Sequence, residues 1–368
     1  MIAAMGNYSS GPIVPTKFWQ KLDGDRVQCD VCPNHCKLKN GQRGRCFVRA
    51  AENGRVVLTT YGRSSGFCVD PIEKKPLNQF FPGTAILSFG TSGCNLTCKF
   101  CQNWNISRSR EVETLADEAS PEVIARAAES LGCRSVAFTY NDPVVFLEYA
   151  VDVSRECHKR NIKTVAVTAG YISEGAREEL FSHMDAANVD LKGFTEEFYR
   201  DFCGGDLQTV LDTLVYLKQR TKVWLELTTL LIPGENDSPD ELNRLSRWVV
   251  EKLGPDTPIH FTAFHPAWKM TDKPPTPSGT LTEARRIAMG NGLRYVYTGN
   301  VRDDEGGGTY CHQCGKKLIG RDWFQLTEWN LNTESCCKFC GTRCAGIFDP
   351  KPGTWGARCV SVSMSNFT

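Results

Sequence analysis

The sequence predicts an α/β protein: a mostly parallel sheet crossed by helices, with a cysteine-rich segment on either side. Three observations carry this. Short apolar runs alternate with longer amphipathic stretches from residue 85 to 298, and strand–helix alternation of that kind implies a parallel sheet with helical crossovers. The cysteines gather into three clusters, at 29–46, 94–101 and 311–344. The unusual polar residues follow the ends of the apolar runs, where chemistry is expected in parallel sheets.

In chain order, residues 1–28 are a Gly, Ser and Pro-rich lead with a mobile tip. The first cysteine cluster follows, and then "VDPIEKKPLNQFF", whose two prolines argue against a regular helix. The strand candidates are "AILSFG", "SVAFTY", "KTVAVTAG", "AANVDLKG", "KVWLELTTLLI", "IHFTAFHP" and "RYVYTGN". Helices are expected over "SPEVIARAAESLG", "DPVVFLEYAVDVSRECHKRN" and "SPDELNRLSRWVVEKLG". The first of these has Ser120 as N-cap, Pro121 in its first turn and Glu122 beside it. Periodicity alone leaves open whether the sheet closes. "VRDDEGGGTY" reads as a flexible hinge into the last cysteine cluster, giving three segments: 1–80, 81–302 and 303–368.

The chain has 368 residues, 41% hydrophobic and 23% charged, with a formal net charge of +1. That composition suits a globular protein with a sizeable core, and it offers no general attraction for nucleic acid or anionic membrane. No apolar run approaches the roughly 20 residues that span a bilayer. The opening "MIAAMGNYSSGPIVPTKFW" lacks a basic region followed by an apolar one, so a cytoplasmic location is expected. Eighteen cysteines in such a chain read as metal sites rather than disulfides. Cys68, Cys133, Cys157, Cys203 and Cys359 lie outside the clusters and read mostly as small buried residues.

Each cluster has its own logic. Cys311 and Cys314, then Cys337 and Cys340, form two CxxCG knuckles with 22 residues between the pairs. This is a zinc-ribbon pattern in which glycine permits the left-handed turn, with Cys336 and Cys344 as alternative ligands. Cys29, Cys32, Cys36 and Cys46 provide four ligands, a closed site for zinc or a second iron–sulfur cluster, with His35 as a competing ligand. Cys94, Cys98 and Cys101 are only three. A cubane cluster has four irons to ligate, so three thiolates leave one iron open to a substrate or cosubstrate. Phe100 precedes the third cysteine, where an aromatic ring can cover a cofactor, and Gln102 follows it.

"CNLTCKFC" resembles the CxxxCxΦC signature of radical S-adenosylmethionine (SAM) enzymes. The resemblance implies a partial (β/α)6 TIM-like barrel in which SAM chelates the open iron of a [4Fe–4S] cluster. Reductive cleavage of SAM then gives methionine and a 5′-deoxyadenosyl radical that abstracts hydrogen from a substrate. It also assigns cofactor-side roles: Asn141 and Asp142 in "TYNDP" toward the SAM amino group, and Asp190 and Lys192 in "VDLKG" with the lysine toward the carboxylate. His265 in "FHP" falls near the cofactor, with Gly170 and Tyr171 as weaker candidates. "DPIEKKPLNQFFPGT", "GCNLTCKFCQNW", "TYNDPVVFLEYA", "FHPAWKM" and "YVYTGNV" more closely resemble the AmmeMemoRadiSam branch, which is similar to pyruvate formate-lyase activating enzymes. That branch has a small apolar residue at the place of Cys68 and Glu at the place of Asp142. The partners so implied are a reductant such as flavodoxin or ferredoxin, Memo-like and AMMECR1-like proteins, and either a partner protein to be activated or a small-molecule or peptide substrate. The rival reading is a zinc-binding interaction protein without redox chemistry.

Overall fold

The computed structural model describes residues 12–108, 115 and 117–368; the tip of the lead, residues 1–11, lies outside the described residues. Seven parallel strands form the centre: β1 (Ala85–Phe89), β2 (Ser135–Phe138), β3 (Lys163–Thr168), β4 (Ala186–Asp190), β5 (Trp224–Leu231), β6 (Ile259–Ala263) and β7 (Val296–Gly299). Six helices connect them: α1 (Pro121–Ser130), α2 (Leu147–His158), α3 (Glu174–Phe181), α4 (Leu207–Arg220), α5 (Pro239–Leu253) and α6 (Ser278–Gly290). The start signals act as the sequence suggests. Ser120 accepts from Val123 N–H with Pro121 in the first turn, Asp206 accepts from Thr209 N–H, and Ser238 accepts from Glu241 N–H. Each such cap contributes about 1 kcal/mol.

The strands lie side by side in sequence order. Right-handed crossovers that always step the same way put every helix on one face. Alternation along the strands then divides the side chains. Leu87, Phe89, Val136, Phe138, Ala187, Val189, Leu225, Leu227 and Phe261 join the helices in the main core. Their alternates, Ile86, Ala137, Val165 and Ala186, face the other way and form a second cluster with Ile72, Leu77, Phe80 and Phe81. The proline-interrupted segment after residue 69 therefore covers the amino-terminal half of the helix-free face. Glu226 on β5 fixes it there: its buried carboxylate accepts from Asn78 N–H (3.0 Å), Gln79 N–H (2.8 Å) and Trp224 Nε1 (2.9 Å), and it bonds His260 Nε2 (2.7 Å). Removing a buried group with so many partners costs about 3–5 kcal/mol.

The sheet has nine strands and stays open. Phe67–Pro71 pairs antiparallel with β1, and Val360–Val362 pairs antiparallel with Phe67–Pro71 at the edge. The final segment thus returns to the central sheet after making its own three-stranded sheet, Thr309–Tyr310, Lys317–Asp322 and Gln325–Trp329. The expected hinge is a closed turn. Asp303 accepts from Thr298 Oγ1 and from the N–H groups of Glu305 and Gly306, and Thr298 N–H donates to the Gly306 carbonyl. Arg321 reaches from the small sheet to the Asn78 carbonyl (2.6 Å). Among the cysteines outside the clusters, Cys133, Cys157 and Cys203 are buried, Cys68 is partly buried, and Cys359 is exposed beside Lys74. Among the described residues no helix is long and apolar enough to cross a membrane.

Glu73 in the covering segment is buried, with Gly83 N–H on one oxygen and Arg321 Nε 3.7 Å away. Burial pushes its carboxyl up to about 7, against the pull of Arg321. A carboxyl raised in the folded state takes up a proton on folding, so its contribution is greatest below the unfolded value and declines until pH passes the folded one. Stability should therefore fall by on the order of 3 kcal/mol between about pH 4.5 and pH 7 through this group. Glu73→Gln should remove that component. Urea denaturation of both proteins across the interval measures it, and equal pH dependence would refute the assignment.

Candidate active site

The loop after β1 carries the three cysteines, and its shape is set by neighbours that contact its backbone. Asn141, just past β2, accepts from Thr91 N–H (3.2 Å) and donates to the carbonyls of Ser92 (3.1 Å) and Gly93 (2.9 Å). Gly93 has φ +80, and a Cβ there would collide with the Cys46 carbonyl. Asn95 donates to the Tyr171 carbonyl (2.6 Å), and Arg108 to the Leu96 carbonyl (2.8 Å). Thr97 N–H and Lys99 N–H donate to the carbonyls of Cys203 and Phe202. Those two residues end a π-helical turn, Tyr199–Cys203, closed by Gly204 at φ +71. Single π turns recur at functional sites because they free carbonyls that the helix would otherwise use.

The loop opens on a cavity at the carboxyl ends of the strands, with about 1180 Å³ of space unfilled by protein atoms. Cys94, Cys98, Cys101, Phe100 and Gln102 line it, as do Asn141, Asp142, Asp190 and Lys192. Phe100 is buried against Phe198 at 5.9 Å between ring centroids. His265 is not brought in: it is exposed beyond the end of β6 and does not line the cavity. Asp142 caps the turn Pro143–Phe146 through Val144 N–H (3.1 Å) and also accepts from Thr168 Oγ1 (2.9 Å) and Ala169 N–H (2.8 Å). Lys192 is paired with Asp190 at 2.6 Å, and its own backbone is held by the Tyr199 hydroxyl and by Asn236.

Charge in this site is arranged around the lysine. Burial opposes its ammonium, but Asp190 and the Cys98 and Cys203 thiols hold its protonation well above the ordinary lysine range. The Cys203 thiol beside Cys98, helped by Lys192, draws the Cys98 thiol down against its burial. Burial, reinforced by the Asp142 carboxylate, pushes Cys94 up. Three thiols on one loop, a fixed cation and a covering aromatic ring form a donor set that fits a cluster carrying one open iron. Sequence reasoning missed Cys203, whose only signal is the Gly204–Gly205 pair after it. It also missed Tyr140, a non-glycine residue at φ +70 whose hydroxyl donates to Asp70 (3.0 Å). Such backbone strain persists where the surroundings demand it.

The other cysteines divide into two arrangements. Cys311, Cys314, Cys337 and Cys340 place their sulfurs within 4.8 Å of one another, with Cys311 3.5 Å from Cys340 and Cys314 3.7 Å from Cys337. Gly315 (φ +70) and Gly341 (φ +78) close the two knuckles. Cys336 and Cys344 stay outside the group; Cys344 faces Gln79. Cys29, Cys32, Cys36 and Cys46 line a common cavity without closing to that spacing, and His35 points to Asp30 instead.

The Radical SAM superfamily model matches residues 89–245. A protein of Methanocaldococcus jannaschii is 41% identical over 327 residues, covering 89% of this chain and 97% of its own. The pyruvate formate-lyase-activating enzyme of Clostridium pasteurianum is 25% identical over 170 residues, 45% of this chain and 69% of that one. Among solved structures, a radical SAM methyltransferase from Sphaerobacter thermophilus superposes with a TM-score of 0.48 at 13% identity, over 78% of this chain and 76% of the other. The rival reading as a non-catalytic zinc protein falls with these matches, and the chain belongs to the radical SAM superfamily of enzymes.

Proposed function

We propose that this enzyme abstracts a hydrogen atom from a small molecule or peptide side chain bound beside the SAM cavity, at the mouth of a partial (β/α)6 barrel. The observation that carries the reading is a second cavity, with about 1240 Å³ of unfilled space, that shares Gln102, Asn103, Thr139, Tyr140 and Asn300 with the first. Its far wall is made by the final segment, through Arg321, Trp323 and Phe324. A [4Fe–4S] cluster with SAM, when bound, supplies the carbon-centred radical that takes the hydrogen. Cys94, Cys98 and Cys101 would hold that cluster. Lys192, kept charged by Asp190, would meet the SAM carboxylate, and Asp142 would offer its remaining lone pair to the amino group. Asn141 acts on the cysteine loop by positioning it. Phe100 and Tyr140 keep water from the reacting atoms.

A second reading, activation of a partner protein, draws on the relatives named as activating enzymes for pyruvate formate-lyase and 4-hydroxyphenylacetate decarboxylase. Turnover separates the two: many equivalents of product on a diffusible substrate, or SAM cleavage that stops at one per partner chain. In both, a one-electron reductant such as flavodoxin or ferredoxin is required.

Anaerobic reconstitution followed by dithionite and SAM should give 5′-deoxyadenosine, read by mass. Cys98→Ala should abolish it with the fold intact by circular dichroism, and continued formation in that variant would refute the assignment. Asn141→Ala should lower cluster occupancy at least several-fold, because the carbonyls of Ser92 and Gly93 lose their donor. Iron content of the folded variant is the measurement, and unchanged iron with lost SAM binding would instead give Asn141 a direct role at SAM.

We assign zinc to Cys311, Cys314, Cys337 and Cys340. A tetrahedral ion with Zn–S of about 2.3 Å sets its ligand sulfurs about 3.8 Å apart, near the 3.5 and 3.7 Å found. Its role is to brace the wall of the second cavity. Cys311→Ala should lose about one zinc per chain and lower the melting temperature, whereas unchanged zinc and melting would refute the assignment.

A further inference from the structure

Cys29, Cys32, Cys36 and Cys46 satisfy both zinc and iron–sulfur chemistry by count, and their spacing separates the two. The chain contains its own standards. The quartet at 311–340 closes to within 4.8 Å, the compact arrangement that a single ion needs, and among the described residues it is the only His, Cys, Asp and Glu group to do so. Cys94, Cys98 and Cys101, in the superfamily's cluster position, stand around a cavity without closing to that spacing. The amino-terminal quartet behaves like the second standard. Its cysteines line a common cavity, walled by Val31, Val144 and Val145. In a cubane each thiolate takes a different iron at a different corner, so the sulfurs stand off around a volume; around one ion they converge on a point.

Two further features fit a bulky anionic group. Arg49 lines the same cavity and is only 2% exposed; Glu148 satisfies its outer nitrogens at 2.8 and 3.1 Å, while its Nε has no partner. The rim also offers N–H donors to sulfur, Arg45 N–H to Cys36 at 3.4 Å and Asn34 Nδ2 to Cys32 at 3.5 Å. Such donors stabilise the charge on ligand sulfur and tune cluster potential.

We infer that Cys29, Cys32, Cys36 and Cys46 hold a second, fully ligated [4Fe–4S] cluster, packed directly behind the loop of the SAM-binding cluster. The contact between the two loops is immediate. Asn34 Nδ2, at hydrogen-bond distance from the Cys32 sulfur, also donates to the Asn95 carbonyl (2.8 Å), next to Cys94. Arg45 bonds Asn34 Oδ1 (3.0 Å) and Thr97 Oγ1 (3.2 Å). The Cys46 carbonyl lies against Gly93 so closely that no side chain fits there. The inference rests on cysteine geometry and stands apart from the choice of substrate.

The test is metal and sulfide content with iron Mössbauer spectra of the full chain, purified anaerobically from cells supplied with iron and zinc. Two cubanes and one zinc predict about eight irons, eight sulfides and one zinc per chain. About four irons with two zincs would overturn the inference, and so would about four irons with one zinc. Cys98→Ala should retain about four irons with a cubane spectrum, while Cys32→Ala/Cys46→Ala should lose that half and keep the cluster that shifts its spectrum on adding SAM. If either variant fails to fold, the wild-type counts decide. A full complement of iron without 5′-deoxyadenosine would count against the radical reading and leave this site standing; 5′-deoxyadenosine from a protein with about four irons would do the reverse.

Discussion

Seven parallel strands laid down in sequence order leave one face of the sheet without helices, and the rest of the molecule is organised by how that face is covered. Parallel sheets need both faces occupied. Here the amino-terminal half is filled by the segment around Ile72, Leu77, Phe80 and Phe81, and the carboxyl half is left as cavity. Glu226 is the keystone between them. One carboxylate gathers two backbone N–H groups of the covering segment, the indole of its own strand and the imidazole of the next. On that face Ile86, Ala137, Val165 and Ala186 pack against the covering segment, whereas Thr139, Asp190, Lys192, Thr228 and Thr262 line the cavity at the carboxyl ends together with Val167 and Leu230. The covering segment is thereby the floor of the site.

The cysteine loop is rigid for a reason independent of any metal. Its carbonyls and N–H groups are bound by the Asn141 side chain from just past the next strand and by the π turn before Gly204, and its Asn95 side chain donates to the Tyr171 carbonyl. Cys94, Cys98 and Cys101 are thereby held in register by protein hydrogen bonds. The same loop backs onto the amino-terminal quartet, so the two cysteine-bearing segments share a scaffold through Asn34 and Arg45.

Much of this was legible in the sequence because it depends on local period and spacing. Alternating apolar runs located all seven strands, and Ser120–Pro121 marked the helix start where it occurs. The cysteine spacing picked out the four sulfurs that the structure brings together in the final segment because a CxxCG turn is a local structure. What could not be read was non-local. Nothing in "VRDDEGGGTY" announces that Asp303 would close its glycines into a turn, since the donor Thr298 belongs to the preceding strand. His265 follows its strand as the sequence suggests, yet the chain direction beyond Phe264 carries it to the surface. Cys203 reaches Cys98 across more than a hundred residues of chain, a pairing that no spacing rule contains.

The edge strand Val360–Val362 lies against Phe67–Pro71, which itself flanks β1. On a ribosome these partners emerge far apart in time, and a pairing of such sequence separation forms late. Both cysteine-bearing loops precede in sequence the wall bearing Arg321 and Trp323. Until the final segment folds back, the second cavity lacks the wall that Arg321, Trp323 and Phe324 supply, so the last segment of the chain to be made is the one that completes the pocket's enclosure.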